Sequence, residues 1–409
     1  MWRTLSRARE FFDEPNEYRI LRLVRDSAQI SRTEIARHCK ISKPTVSEIV
    51  NRFLKGGFLE SVGESESTER GGRKRELLRF KPNAGFVIGV DIRRTESVVA
   101  MTDLNANILA SKTCRYNLYS SSDSVLKGIA KAIDSLMAKQ SIEKCVGIGI
   151  GLPGVIDHKT GVIKVVGTLG AWGGVNLREY FNMRFGVPVY ADNDVKARTL
   201  AEMLFGAGRN MHDQVFLWIG GGIGVGIVIN GKLHRGVTES AGEVGYNALR
   251  FGSAGKEFFP ILYNGQRDYG AILSNRMIIE RYLARSKQQK SATIESIVEA
   301  AANGEQLASQ VMDEVALLTS IVCINLINML NPQLLVLGGK MAENGTLLID
   351  RVRQKVREDL LSVPAEAVQI VPSRLKKDGV IIGAAGLVLH DLFKPARYGR
   401  LRDTVESER

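Results

Sequence analysis

Cysteine is scarce in this sequence, with only four in 409 residues. Cys39, Cys114, Cys145 and Cys323 stand far apart and without metal-ligand spacing, which fits reduced, packed thiols in the cytoplasm. Long apolar runs are missing too. The most apolar helical stretch, Val315–Leu330, carries Thr319, Ser320, Asn325 and Asn328, which suits a buried helix better than a membrane span. The opening MWRTLSRAREFF has no apolar signal core, so export is not expected.

What is present reads as globular, with 44% apolar residues and a length that calls for two or three domains. The net charge of +12 is unevenly spread. Residues 1–85 hold about 18 Lys and Arg against about 12 Asp and Glu, so half the excess lies in a fifth of the chain, an asymmetry that suggests nucleic acid. A solvated basic surface gives the same count.

The first 85 residues supply the rest of that argument. Tyr18, Ile20, Leu21, Leu23 and Val24 form an apolar stripe at helical spacing. SRTEIARHC predicts a second helix, with Ser31 as N-cap and Glu34 completing a capping box. A third helix opens at Ser42 with Pro44 in its first turn, where a missing N–H costs nothing. Val46, Ile49, Val50 and Phe53 make its buried face, while Lys43, Thr45, Ser47 and Arg52 fall largely opposite. Two short helices joined by a tight turn form a helix-turn-helix, whose second helix enters the major groove. GFLESVG and KRELLRF follow as a hairpin, a wing whose tip carries Gly71-Gly72 and then Arg73, Lys74 and Arg75 for phosphates or the minor groove.

From Gly85 the pattern changes to strands and helices of an α/β body. FVIGVDI, SVVAMTD and NILASKTCRYN read as three strands, followed by a helix near Ser122–Lys139 and the strand CVGIGIGLPG. VPVYADND ends in a carboxylate cluster before the helix VKARTLAEMLFG. The scheme repeats with QVFLWIG, GIGVGIVIN and GKLHRG, and QLLVLGGK ends a late strand at glycines. Two βββαβα halves are the pattern of the actin/hexokinase-like (ribonuclease H-like) fold, which binds nucleotide between its lobes.

Five segments carry a family resemblance: GIGIGLPGVID (147–157), ADNDVKA (191–197), IGGGIGVGIVINGKLHRG (219–236), SAGEVGY (240–246) and NPQLLVLGGK (331–340). Together, in this order, they resemble the ROK family of repressors, open reading frames and sugar kinases. The N-terminal region is similar to the winged helix-turn-helix of the family's repressor branch. The resemblance implies a head over 1–84, a first lobe over 85–205, and a second lobe over 206–395 whose last helix returns toward the first. A polar tail covers 396–409.

The resemblance also assigns roles. Asp194 matches the kinase base, Asn193 a sugar-hydroxyl contact and Glu243 a sugar reader, while Tyr246 stands where the family has histidine. Tyr246 either hydrogen-bonds a sugar or packs in a core. One of Asp192 and Asp194 is expected to cap the next helix. The family's zinc cysteines are absent from GYNALRFGSAGKEFFPILYNG, so no metal is expected. Thr168 replaces the family's asparagine ahead of LGAW.

The first phosphate loop is the most altered part. Asp91 and Thr95 keep its frame, but Arg93 and Arg94 stand where glycines would admit a triphosphate. They bridge structure, bind an anion, or pair with Asp91, Asp194 or the other lobe. Gly220, Gly222 and Gly224 keep the second loop, although Gly221 stands where kinases place a threonine, and Gly338 and Gly339 keep the adenosine-side turn. Hairpin geometry alone also explains glycines there. The expected function is a cytoplasmic, sugar-responsive repressor without cofactor, binding operator DNA as a homodimer or homotetramer and touching no membrane. Sugar-driven lobe closure would change the spacing of the recognition helices. The alternative is an ATP-dependent sugar kinase fused to a DNA-binding domain, and a third reading is a scaffold that binds protein.

Overall fold

Three helices and a small sheet begin the computed structural model, which describes residues 15–64, 74–117, 119–138, 140, 144–166, 172–246, 269–286, 291–359 and 362–392. Helix α1 (Pro15–Asp26) buries Ile20, Leu21 and Val24. A two-residue strand β1 (Ile30–Ser31) leads into α2 (Arg32–Cys39), where Ser31 and Glu34 form a reciprocal capping box. Lys40 leaves that helix in the left-handed region, and α3 (Lys43–Lys55) starts from the Ser42 cap. Its buried residues are Val46, Ile49, Val50 and Phe53, as the spacing predicts. Full burial of a side chain such as Phe53 contributes about 1.5–3 kcal/mol. β2 (Leu59–Glu64) and β3 (Glu76–Phe80) form the wing, in the order β1-β3-β2. β1 pairs through Ile30 with Leu78, a contact too short to show as a sequence pattern.

A second sheet follows, built from β4 (Phe86–Ile92), β5 (Glu96–Thr102), β6 (Ile108–Arg115), β7 (Cys145–Leu152) and β10 (Val189–Asn193) in the order β10-β7-β4-β5-β6. Every residue of β4 is buried, whereas β6 is an exposed edge. Helix α4 (Ser122–Met137) turns Val125, Leu126, Ile129 and Ile133 inward. The hairpin β8 (Val155–Ile156) and β9 (Ile163–Val165) precedes helix α5 (Leu177–Phe185), and α6 (Asp194–Phe205) follows β10 directly.

The third sheet joins β11 (Gln214–Ile219), β12 (Ile223–Ile229), β13 (Lys232–His234), β14 (Leu334–Gly338) and β15 (Gln369–Pro372) in the order β13-β12-β11-β14-β15. β11–β12 is antiparallel and β11–β14 parallel. Helices α7 (Asn275–Arg285), α8 (Ile294–Ala302), α9 (Gln306–Leu330) and α10 (Leu347–Asp359) share one apolar core with Val215, Leu217 and Leu337 of the sheet. α9 is long and apolar enough to cross a membrane by length and composition, yet Val311, Val315, Leu318, Val322 and Leu326 are buried in that core.

Helix α11 (Gly379–Leu392) is the last described element. By contact the chain forms two units: residues to Ile150, Val175–Ala191 and from Ala384 in one, Gly151–Gly174 and Asp192–Gly383 in the other. The boundaries fall inside β7, β10 and α11 and just before α5. Glycines permit close packing at either side. A methyl group on Gly149 would stand 1.8 Å from the Ala384 carbonyl oxygen, and one on Gly383 would stand 1.9 Å from that of Ala197.

Candidate DNA-binding head and ligand site

Lys43 is exposed and Thr45 and Ser47 are half-buried on α3, the second helix of the helix-turn-helix pair. The Thr45 hydroxyl lies 2.7 Å from that of Ser42, so it also serves the cap. Arg52 also has a partner within the head. Its guanidinium pairs with Glu17, a carboxylate buried in α1, so it ties α3 to α1. Lys74 is exposed at the foot of the wing, and Arg73 lies outside the described residues. A residue not foreseen, Arg32, joins the parts: it donates to Glu76 on β3 at 3.1 Å, and on α3 to the Ser47 carbonyl at 3.2 Å and to Asn51 at 2.9 Å.

In the first loop, Arg93 to Glu96 is the tight turn of the β4–β5 hairpin, closed by an Arg93 N–H to Glu96 carbonyl bond of 2.9 Å. The Arg93 guanidinium donates to buried Asp91 at 2.8 Å and to Glu96 at 2.9 Å. Burial works against its charge, but the two carboxylates more than offset this and raise its pKa. The Tyr116 hydroxyl backs the turn, 2.7 Å from the Arg93 carbonyl oxygen. Arg94 and Thr95 are exposed at the tip. Asp91 thus carries an internal cation.

At the start of α6 the roles differ from the sequence expectation. Asn193, not either aspartate, is the N-cap: its Oδ1 accepts from Val195 N at 2.9 Å and Lys196 N at 3.1 Å. Its Nδ2 donates to the Gly154 carbonyl at 2.9 Å, which leaves one amide hydrogen for a ligand. Asp192 is buried and accepts from Arg235 at 2.6 and 3.1 Å. Asp194 occupies the first helical turn. Burial pushes its carboxyl pKa up, Arg198 and the Val195 N–H oppose that, and the negative charge of Glu243 adds to it. Glu243 is half-buried nearby, and Tyr246 is 78% exposed, which removes the packed-core reading of that tyrosine.

The second loop's glycines have a packing cause as well. A methyl group at Gly224 would meet Val195 at 2.9 Å, and one at Gly226 would meet the Thr199 hydroxyl at 1.7 Å. They admit α6 onto the sheet. Gly220 lies against the Trp218 indole, while Gly222 faces open space. Gly339 has φ +110° and approaches the Ile219 carbonyl, where a side chain would collide. Among the described residues no group of three or more His, Cys, Asp or Glu could hold a metal ion. Thr168 and residues 247–268 lie outside the described residues.

The model of the ROK family matches residues 87–391, about three quarters of the chain. The chain belongs to the ROK family. A MarR family model matches residues 14–73 of the head. The xylose repressor of Caldicellulosiruptor bescii is 27% identical over 392 residues, covering 94% of this chain and 97% of that protein. The Escherichia coli DNA-binding transcriptional dual regulator NagC is 27% identical over 394 residues, covering 91% and 92%. A crystal structure of a ROK family transcriptional regulator, a homologue of the E. coli MLC protein, superposes with TM-score 0.77 at 22% identity over 92% of this chain and 95% of that one. A ROK family glucokinase from Streptomyces griseus with glucose and AMPPNP gives 0.61 at 24% identity, over 74% of this chain and 99% of that one. The two regulators and the regulator structure extend over both head and body, whereas the glucokinase covers 74% of the chain.

Several polar residues of this ROK body escaped the sequence reading. His158 Nδ1 lies 2.9 Å from Glu239, whose backbone adopts φ +68°, and buried Lys196 donates to the Glu239 carbonyl at 2.8 Å. Arg198, also buried, lies 3.7 Å from the centre of the Trp218 ring. Lys196, Arg198 and Glu202 carry no local signal in the sequence, because the groups that cover them come from distant parts of the chain.

Proposed function

We propose that this chain is a sugar-responsive DNA-binding transcriptional regulator, a repressor of carbohydrate uptake or catabolism genes that a sugar or sugar derivative releases. The observation that carries it is one chain joining a winged helix-turn-helix to a ROK body whose first phosphate loop is closed by Arg93 on Asp91 and Glu96. A body closed in this way does not cradle a triphosphate, so the base at Asp194 has no phosphoryl group to serve. It keeps carboxylates suited to sugar hydroxyls at Asp194 and Glu243, beside the remaining amide hydrogen of Asn193 and the exposed hydroxyl of Tyr246.

The head works in the cytoplasm as part of a homodimer or homotetramer, with two α3 helices reading two half-sites and Lys43, Thr45, Ser47 and Lys74 at the DNA. Sugar acts by preferring one conformer of the body. That preference has to exceed the head's preference for operator in the other conformer, because a ligand shifts an equilibrium only by its differential affinity. The names of the relatives supply the first sugars to try, D-xylose and N-acetyl-D-glucosamine.

Fluorescence anisotropy on DNA from upstream of the chain's own gene, with each sugar titrated in, tests the proposal. Release of the DNA by one sugar is the expected result. ATP consumption at ordinary kinase rates with any hexose or pentose, abolished by Asp194→Asn, would overturn it in favour of a DNA-binding kinase. DNA binding indifferent to every sugar, with no thermal shift, would favour a scaffold.

A further inference from the structure

We propose that Glu48 on α3 accepts a hydrogen bond from a cytosine base edge in the major groove and so sets one position of the operator sequence. The proposal rests on the reading that α3 enters DNA, and it names what that helix recognises there. Pro44, Glu48, Asn51 and Lys55 recur at i, i+4, i+7 and i+11, and all four are exposed. They lie opposite Val46, Ile49, Val50 and Phe53, which are buried in the head. Glu48 therefore stands near the middle of the face that α3 turns away from the protein. It is the one acidic residue of this helix.

The cations that could neutralise this carboxylate within the head are turned elsewhere. Its neighbours three and four positions away on α3 are Pro44, Thr45, Asn51 and Arg52. Arg52 alone is charged, and its guanidinium pairs with Glu17 of α1. Arg32 reaches α3 on both sides of Glu48, at the Ser47 carbonyl (3.2 Å) and at Asn51 Oδ1 (2.9 Å), and its third contact is Glu76 on β3. Among the described residues no hydrogen bond or ion pair engages the Glu48 side chain. The other exposed charged residues of this stretch, Arg37, Lys40, Lys43, Arg52 and Lys55, are all basic. One unpartnered carboxylate thus sits within a basic surface.

A carboxylate on a DNA-facing helix is repelled by phosphates, so it belongs where the duplex offers a hydrogen-bond donor. The major groove offers two, the N4 amino group of cytosine and the N6 amino group of adenine. Adenine places the acceptor N7 beside N6, which opposes a carboxylate, whereas cytosine presents only its donor. Cytosine is therefore the base that Glu48 selects. The surrounding cations hold the phosphates and supply affinity without sequence information. Neither neighbour on the exposed stripe can replace Glu48 as acceptor: Pro44 has no polar side-chain atom, and Asn51 Oδ1 already accepts from Arg32.

The test uses the full chain and selection from a DNA duplex library with a randomised central stretch. Sequencing the bound fraction gives the preference at each position, and anisotropy on single selected duplexes gives affinities. The wild type is expected to select a C·G pair at one position of each half-site. Exchanging that pair for A·T is expected to weaken wild-type binding about five- to tenfold, as the loss of one base-edge contact costs. Glu48→Ala is expected to lose the preference at that position alone and to bind both duplexes equally. Alanine is a good helix former at an exposed position, so this variant keeps α3. Glu48→Arg is expected to exchange cytosine for guanine at the same position, since a guanidinium pairs with guanine O6 and N7. An unchanged motif in Glu48→Ala overturns the proposal and leaves the DNA reading standing. A gain in affinity for every duplex with the same motif puts Glu48 beside a phosphate, and that overturns it as well. A wild type that selects no sequence counts against the DNA reading itself, and the proposal falls with it.

Discussion

Replacing Arg93 with alanine isolates the ion pair that closes the β4–β5 turn. The Asp91 side chain is 3% exposed and that of Arg93 is 40% exposed. Removing one partner of a fully buried ion pair costs about 3–5 kcal/mol, because a charge is left without compensation. Water already reaches Arg93, so half of that, about 1.5–2.5 kcal/mol, is expected here. For a unit of this size that is a fall of about 3–10 °C in the first thermal transition. Asp91→Asn added to Arg93→Ala should recover part of the loss, because the buried charge that Arg93 faced is then gone. Circular dichroism melts of wild type, both single variants and the double variant give the coupling directly. A loss below about 0.5 kcal/mol for Arg93→Ala would refute the reasoning, since surface changes away from any such feature cost that little. So would saturable ATP binding by Arg93→Ala at unchanged stability, which would make the arginine a plug and not a support.

Three further outcomes follow from the structure. The Asp194 carboxyl has a folded pKa above its unfolded value, so the folded state binds the proton more tightly and stability falls as pH rises between the two. Asp194→Asn should therefore raise the melting temperature at pH 7, with the gain fading as pH drops through the unfolded value near about 3.9, and no gain at pH 7 would contradict the raised pKa. Arg32→Ala, which unlatches β3 from α3, should weaken operator binding several-fold in anisotropy while leaving sugar binding intact, and unchanged operator affinity would remove Arg32 from that role. Burial pushes the Cys145 and Cys323 thiols up to about 12, so neither should react with a thiol reagent at pH 8 until the protein unfolds, as mass mapping of the labelled cysteines would show.

Much of this molecule was legible from its sequence. Apolar spacing located α3 and its four buried residues, and Ser31 with Glu34 announced the start of α2. Those features depend on neighbours within one or two turns. The glycine-bounded strands of the body were legible for the same reason. The pairing of Arg52 with Glu17 was not legible because Glu17 is an acidic residue in the first turn of another helix, where exposure is the ordinary expectation. The cap of α6 was misassigned because Asp192, Asn193 and Asp194 are all good caps by composition. The chain direction at the end of β10 selects among them.

The sequence by itself determined the order of elements, the helix starts in the head, the absence of thiolates for a metal cluster and the family's motifs. Each of these is a short-range pattern of polarity, turn chemistry or residue identity. Only the tertiary structure decided what the charges of α6 do. Arg198 meets the Lys376 carbonyl 178 positions away and Glu202 meets Ser373 171 positions away. Spacing reports which face of a helix is apolar, but a charged face is buried or exposed according to what arrives from elsewhere in the chain. Here Trp218 meets Arg198 and the 373–375 loop meets Glu202, so both charges are buried.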